Sequence, residues 1–117
     1  MQKICITDGN VMLYASLNDT VAARDFIKRL PCSFSGADSG LDYCCTAATG
    51  VYDPMETQTG WKNGDLSLGG GWFAILYDGE ELSKTFRNMM IIGHLDEDSL
   101  ESIHLLPERA NFYVSIA

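Results

Sequence analysis

Basic residues are scarce: 8 Lys and Arg stand against 16 Asp and Glu, a formal net charge of −8 over 117 residues. Nucleic-acid binding needs clustered cations that displace counterions from phosphate, so no nucleic-acid partner is expected. The same deficit argues against an anionic membrane surface. No apolar run approaches the about 18–20 residues needed to cross a bilayer. Nor does the N-terminus show the charged, apolar and small-residue succession of a secretory signal. A cytoplasmic setting is the resulting expectation. Cys5, Cys32, Cys44 and Cys45 contain no C-x-x-C pair, so they read as reduced thiols rather than as a disulfide framework. Adjacent Cys44 and Cys45 would point to opposite faces of a strand, which disfavours zinc. A Gly-x-Ser-x-Gly elbow, a phosphate loop and a dinucleotide fingerprint are also missing. Ser83 and Ser99 have no neighbour that would activate them. No catalytic residue and no cofactor is expected.

What is present is ordinary for a globular domain: 46% hydrophobic and 21% charged residues. Residues 1–117 are read as one domain. Segments 3–7 and 11–17 flank Asp8-Gly9-Asn10 and read as a hairpin. Asn18-Asp19-Thr20 supplies a helix start, with Asn18 or Asp19 as the expected cap. Ala22, Ala23, Phe26, Ile27 and Leu30 then form one apolar stripe, and Pro31 stops the helix. The few cations Arg24, Lys28 and Arg29 fall on its opposite side. Residues 32–35 and 41–47 are strand candidates separated by Gly36 to Gly40. From 49 to 62 the chain is irregular, a long surface excursion whose Tyr52 and Trp61 are read as anchors. Strands are expected at 88–95 and 112–116. In the first of these, Met89, Ile91 and Leu95 share one face, with Met90, Ile92 and His94 on the other. An acidic start at Asp96-Glu97-Asp98-Ser99 leads into a short helix ending before Pro107.

The stretch from Asn63 to Gly79 organises the rest. Asn63-Gly64 and Asp78-Gly79 are tight-turn signals. The run from Trp72 to Tyr77 is aromatic and aliphatic without a break, as in a strand buried on both faces. Many short strands with one good helix suggest a mainly β fold: a closed antiparallel barrel of about eight strands. The helix over 18–30 should plug one open end, and the short helix before the last strand should sit at another edge.

In order and spacing, this pattern resembles the small bacterial and archaeal proteins with a cyclophilin-like fold. Four pieces carry the likeness. They are the hairpin running into Leu17-Asn18-Asp19-Thr20-Val21-Ala22-Ala23-Arg24-Asp25-Phe26 and Leu30-Pro31; Gly64-Asp65-Leu66; Trp72-Phe73-Ala74-Ile75-Leu76-Tyr77; and Ile91-Ile92-Gly93-His94-Leu95. The family's usual Pro-Trp-Gly-Asn turn is replaced here by Gly69-Gly70-Gly71-Trp72 in a shorter connection. The resemblance implies a fold rather than an activity, because the family's biochemical role is largely unassigned.

Three function classes remain. A non-catalytic module that binds a small molecule or peptide comes first. Its pocket is placed beside the Gly69–Trp72 connection, with Tyr43, Trp61, Gly70, Trp72, Tyr77, Phe86 and Arg87 as ligand-binding candidates. Glycines leave the backbone open, and aromatics offer apolar walls with polar tips. The competing account of the same glycines is a tight barrel corner with Trp72 filling the interior. Second is a prolyl isomerase of low activity, which needs an aromatic pocket and an arginine near the prolyl nitrogen. Arg87 is the one arginine near the candidate aromatics. Third is an oligomer-forming protein, provided that Met12, Tyr14 and Tyr113 make one exposed patch. His94 and Asp96, two apart on a strand, would share a face, but nothing supplies a third ligand and no metal is expected.

Overall fold

Ile4, Ile6, Leu13, Ala15 and Leu17 are fully buried, the inward face of a hairpin formed by β1 (Lys3–Thr7) and β2 (Met12–Leu17). Its turn is held by the Asp8 carboxylate, which accepts the N–H groups of Asn10 (2.9 Å) and Val11 (2.7 Å). These bonds favour the ionised form and lower the Asp8 pKa. Helix α1 (Val21–Lys28) follows, then β3 (Cys32–Asp38), β4 (Asp42–Thr46), β5 (Asp65–Leu68), β6 (Trp72–Leu76), β7 (Ile91–Leu95), α2 (Glu97–Ser102) and β8 (Arg109–Ile116). This computed structural model describes residues 1–117. All strand pairings are antiparallel, and the eight strands close in the order β1-β2-β7-β5-β6-β4-β3-β8. The expected architecture is the one observed, a closed barrel with a helix after the first hairpin and a short one before the last strand.

Alternate residues of the strands fill the barrel, and α1 closes one end with Ala22, Ala23 and Phe26. The Phe26 ring stacks on Phe34 (6.1 Å between centroids) and on Phe73 (5.4 Å), with Phe34 and Phe73 themselves 5.0 Å apart. α1 is shorter than the expected 18–30 and is capped by Thr20, whose Oγ1 accepts the Ala23 N–H at 3.1 Å. Asn18 is taken up differently. Its side-chain amide donates to the Ile91 carbonyl (2.7 Å), and its oxygen accepts the Thr20 N–H and hydroxyl, so it ties the helix entrance to β7.

Two strands run longer than expected. β3 continues through Gly36 because Gly36 is a packing position, not a break. A Cβ there would lie 2.5 Å from the Cys45 sulfur and 2.6 Å from the Cys44 carbonyl oxygen. β8 begins at Arg109, three residues before the expected 112, with Arg109 and Asn111 facing solvent along β3.

β7 is shorter than expected, and its faces are not those of strict alternation. Leu66 opposes Gly93 while Ser67 opposes Ile91, so Ile92 is the extra residue of a bulge. Ile91 therefore points outward, whereas Ile92 and Leu95 both join the interior. The outward Ile91 packs with Trp61, Ala74 and Leu76 in a second, smaller apolar cluster outside the barrel wall. That cluster is why β6 reads as apolar on both faces: Phe73 and Ile75 point in, Ala74 and Leu76 point out under the 49–62 excursion.

The excursion is pinned. A short 3-10 turn at Pro54–Glu56 presents Glu56 to the Val21 N–H (2.8 Å), and Gln58 bridges to Met89. Trp61 Nε1 donates to the Asp78 carbonyl at 2.9 Å. Further 3-10 turns occupy Glu80–Thr85 and Ile103–Leu105. Phe26 is the side chain on which the capped end depends. Phe26→Ala is expected to cost about 3–5 kcal/mol, the usual range for emptying a buried aromatic site, read as a lowered urea midpoint. A loss below about 1 kcal/mol would mean that α1 does not plug the barrel.

Candidate functional site

The hairpin between β5 and β6 turns on Gly69-Gly70-Gly71, with the Gly69 N–H bonded to the Trp72 carbonyl (2.9 Å). Gly71 has φ +100, a conformation that side chains disfavour. Gly69 serves another need. A Cβ there would come within 2.1 Å of the Trp72 indole, so the ring lies across the bare backbone of Gly69. Trp72 thus sits on the outer wall, 46% exposed, rather than in the interior.

Trp72 forms one side of a groove of about 270 Å³ on that wall. Trp61 and Phe86 form another side, their rings 5.3 Å apart and tilted by 53°. Leu41, Ala74, Leu76 and Met89 complete the apolar lining, and Asp42 is its one ionisable group. The Ser39 hydroxyl donates to the Asp42 carboxylate. Ser67, 3% exposed, lends a hydroxyl to the wall. Three of the seven sequence candidates, Trp61, Trp72 and Phe86, therefore meet at one groove, although they come from the excursion, β6 and the segment after the Glu80–Thr85 turn.

The other four lie elsewhere. Tyr43 is inside the barrel, 2% exposed, and its hydroxyl donates to the Pro107 carbonyl at 2.7 Å. Tyr77 packs beside it, centroids 6.0 Å apart, donates to Asp38, and meets the His104 ring edge-on at 6.2 Å. Burial, and then the nearby Asp38 carboxylate, raise both phenol pKa values, so both remain donors at neutral pH. Gly70 borders a separate hollow of about 120 Å³ with Gly50, Tyr52 and Leu68. Arg87 is exposed and is not among the residues lining the groove.

Asp65 was not singled out by its own chemistry, yet it is buried and firmly held. It is 6% exposed, accepts the Lys62 N–H at 2.8 Å, and faces His94 Nδ1 at 2.8 Å. A carboxylate on Nδ1 orients the imidazole and leaves Nε2 turned outward. His94 and Asp96 do not converge: Asp96 pairs with Lys3 across the barrel wall. The Gly64-Asp65 step was visible in the sequence, but its partner depends on the β5–β7 register, which was not. Leu41, Asp42 and Met89 carried no signal that would have joined them to the aromatics. Cys44 is exposed on β4, whereas Cys45 is interior and its thiol pKa is pushed up to about 12 by burial.

The two neighbouring glycines separate the roles of this turn. Gly69→Ala is expected to push the Trp72 indole off the backbone, shifting its emission and costing about 1 kcal/mol, because a half-exposed ring can swing away. At Gly70 an added Cβ meets nothing within 4 Å, so Gly70→Ala should leave emission and Tm unchanged. Equal responses from the two variants would contradict this geometry.

No curated protein resembles the chain closely enough to count as a match. Among solved structures, the solution structure of a hypothetical protein from Archaeoglobus fulgidus is similar, with a TM-score of 0.72 at 15% identity. The alignment covers 99% of this chain and 95% of that one. At that identity the likeness speaks for the fold alone. Residues 6–117 match the Cyclophilin-like family, and the chain belongs to that family.

Proposed function

We propose that the protein is a binding module whose outer-wall groove takes a small aromatic or apolar molecule, or an apolar peptide side chain, that also carries a cationic donor. One observation carries this reading. Three aromatic residues from separate segments converge on a groove whose single ionisable group is the Asp42 carboxylate. Apolar walls with one placed charge are the usual makeup of a small-ligand site, the walls supplying affinity and the charge orientation. Asp42 accepts the Ser39 hydroxyl and keeps capacity for a further donor.

The isomerase alternative asks for a guanidinium beside the bound prolyl nitrogen. The groove is lined by a carboxylate instead, and Arg87 lies outside the lining. Self-association has separate support. Met12, Tyr14 and Tyr113 are exposed, and the register places Met12 opposite Thr7 and Thr7 opposite Tyr113, one outward row across β2, β1 and β8.

Calorimetric titration with phenethylamine and tryptamine should show saturable binding that Trp72→Ala abolishes. Asp42→Asn should weaken it about tenfold, the loss of one charge-assisted hydrogen bond. No heat from either amine at millimolar concentration would overturn the cationic-aromatic reading. A prolyl-peptide isomerisation rate above background that vanishes in Arg87→Ala would replace it with the isomerase. For self-association, sedimentation across a hundredfold dilution should reveal a dimer that Tyr14→Glu dissociates; a monomer throughout removes that reading.

A further inference from the structure

β3 is paired unequally on its two sides. Against β8 the register runs from Cys32 opposite Val114 to Ala37 opposite Arg109. Against β4 it spans only Gly36 to Asp38, opposite Cys45 to Tyr43. Residues 32–35 thus have a strand on one side and none on the other. β4 continues along β6 instead: the Ala47 N–H bonds to the Gly71 carbonyl, one step beyond Thr46 opposite Trp72, while its pairing with β3 has already stopped at Gly36 opposite Cys45. Between the two chains lies a slot of about 440 Å³, lined by Ser33 and Phe34 on one side and Thr46, Ala47 and Ala48 on the other. It shares no lining residue with the outer-wall groove.

Three kinds of recognition element meet in this slot. The first is backbone. Asp38 donates its N–H to Glu108 on the β8 side, and antiparallel residues alternate the side to which their backbone groups point. Ser33, five residues back and in the unpaired half, therefore turns its N–H and C=O toward the slot. The second is an apolar floor, the edge of Phe34, backed by the fully buried ring of Phe26 on which it stacks. The third is a cation. Arg29 reaches the Ala48 carbonyl (3.1 Å) and Asp25 (3.3 Å), and its Nε–H is enclosed without any acceptor.

We propose that this slot binds the free C-terminal end of an extended peptide with an apolar last residue. The peptide backbone pairs with Ser33 as an added strand, the last side chain lies between Phe34 and Ala47, and the terminal carboxylate takes donors from Arg29. Strand addition at an open edge provides affinity through main-chain hydrogen bonds, and side-chain pockets provide selectivity. A carboxylate matches the planar guanidinium better than a neutral end group does.

The test uses the whole protein and three probes: acetyl-Gly-Ser-Val-Phe as the free acid, the same peptide as its C-terminal amide, and phenylacetate. The free acid should bind by calorimetry, with the amide at least tenfold weaker. Phenylacetate, which has the ring and the carboxylate without the backbone, should also be at least tenfold weaker. Arg29→Gln should bring the acid and amide to equal affinity, with circular dichroism and Tm checking that it folds. On the wild-type protein, the free acid should slow hydrogen exchange at the Ser33 amide. Equal affinity for acid and amide in the wild type would overturn the proposal. So would phenylacetate binding as tightly as the peptide, which marks a small-acid pocket, or an unchanged Ser33 amide.

Discussion

Closing eight strands into a ring forces one face of each strand inward and removes sheet edges wherever pairing is complete. The rest of this molecule follows from that constraint. The interior is just wide enough for side chains, and here it is filled by a single cluster of 23 buried residues. Nothing of ligand size remains inside, so anything the protein binds meets it on the wall, at an end, or where a pairing stops short.

Each of those places is occupied by a different device. At one end, Phe26 of α1 stacks on Phe34 and Phe73, converting an open ring into a closed core. At another edge, α2 lies along β2, and its buried Ser99 accepts the Tyr14 N–H at 2.7 Å. On the wall, the 49–62 excursion folds back over β6 and buries Trp61, producing an outer apolar layer with a groove in it. The aromatic groove and the slot beside β3 differ in charge, Asp42 in one and Arg29 in the other.

Local pattern made much of the barrel legible. The β1–β2 hairpin, α1, the Trp72–Leu76 strand and the closing strand were each marked by periodicity or by turn chemistry. The readings that shifted did so for identifiable reasons. Gly36 looked like a break because a glycine that permits close cross-strand packing has the same letter as one that ends a strand. Arg109 and Asn111 looked like loop because a strand with one solvated face begins with polar residues as readily as a loop does. Leu95 and His94 of β7 were put on the wrong faces, although Ile91 and Ile92 were separated correctly, because a one-residue bulge reverses alternation, and a bulge exists only relative to a partner strand.

By composition and spacing alone, the sequence determined the class of fold, the position of the plugging helix and the net negative charge. These depend on residue type and on neighbours within a turn or a strand, so a single chain of letters contains them. It also singled out Trp61, Trp72 and Phe86, together with Tyr43, Gly70, Tyr77 and Arg87, as ligand-site candidates, since aromatics and glycines are locally conspicuous. Tertiary structure alone decided that Trp61, Trp72 and Phe86 share a groove while Tyr43 and Tyr77 pack together away from it, that Asp65 meets His94, and that β3 is left with half an edge unpaired. Those outcomes rest on cross-strand register and on which way a side chain leaves the barrel wall. A shift of one residue reverses both, and only the assembled ring selects the register.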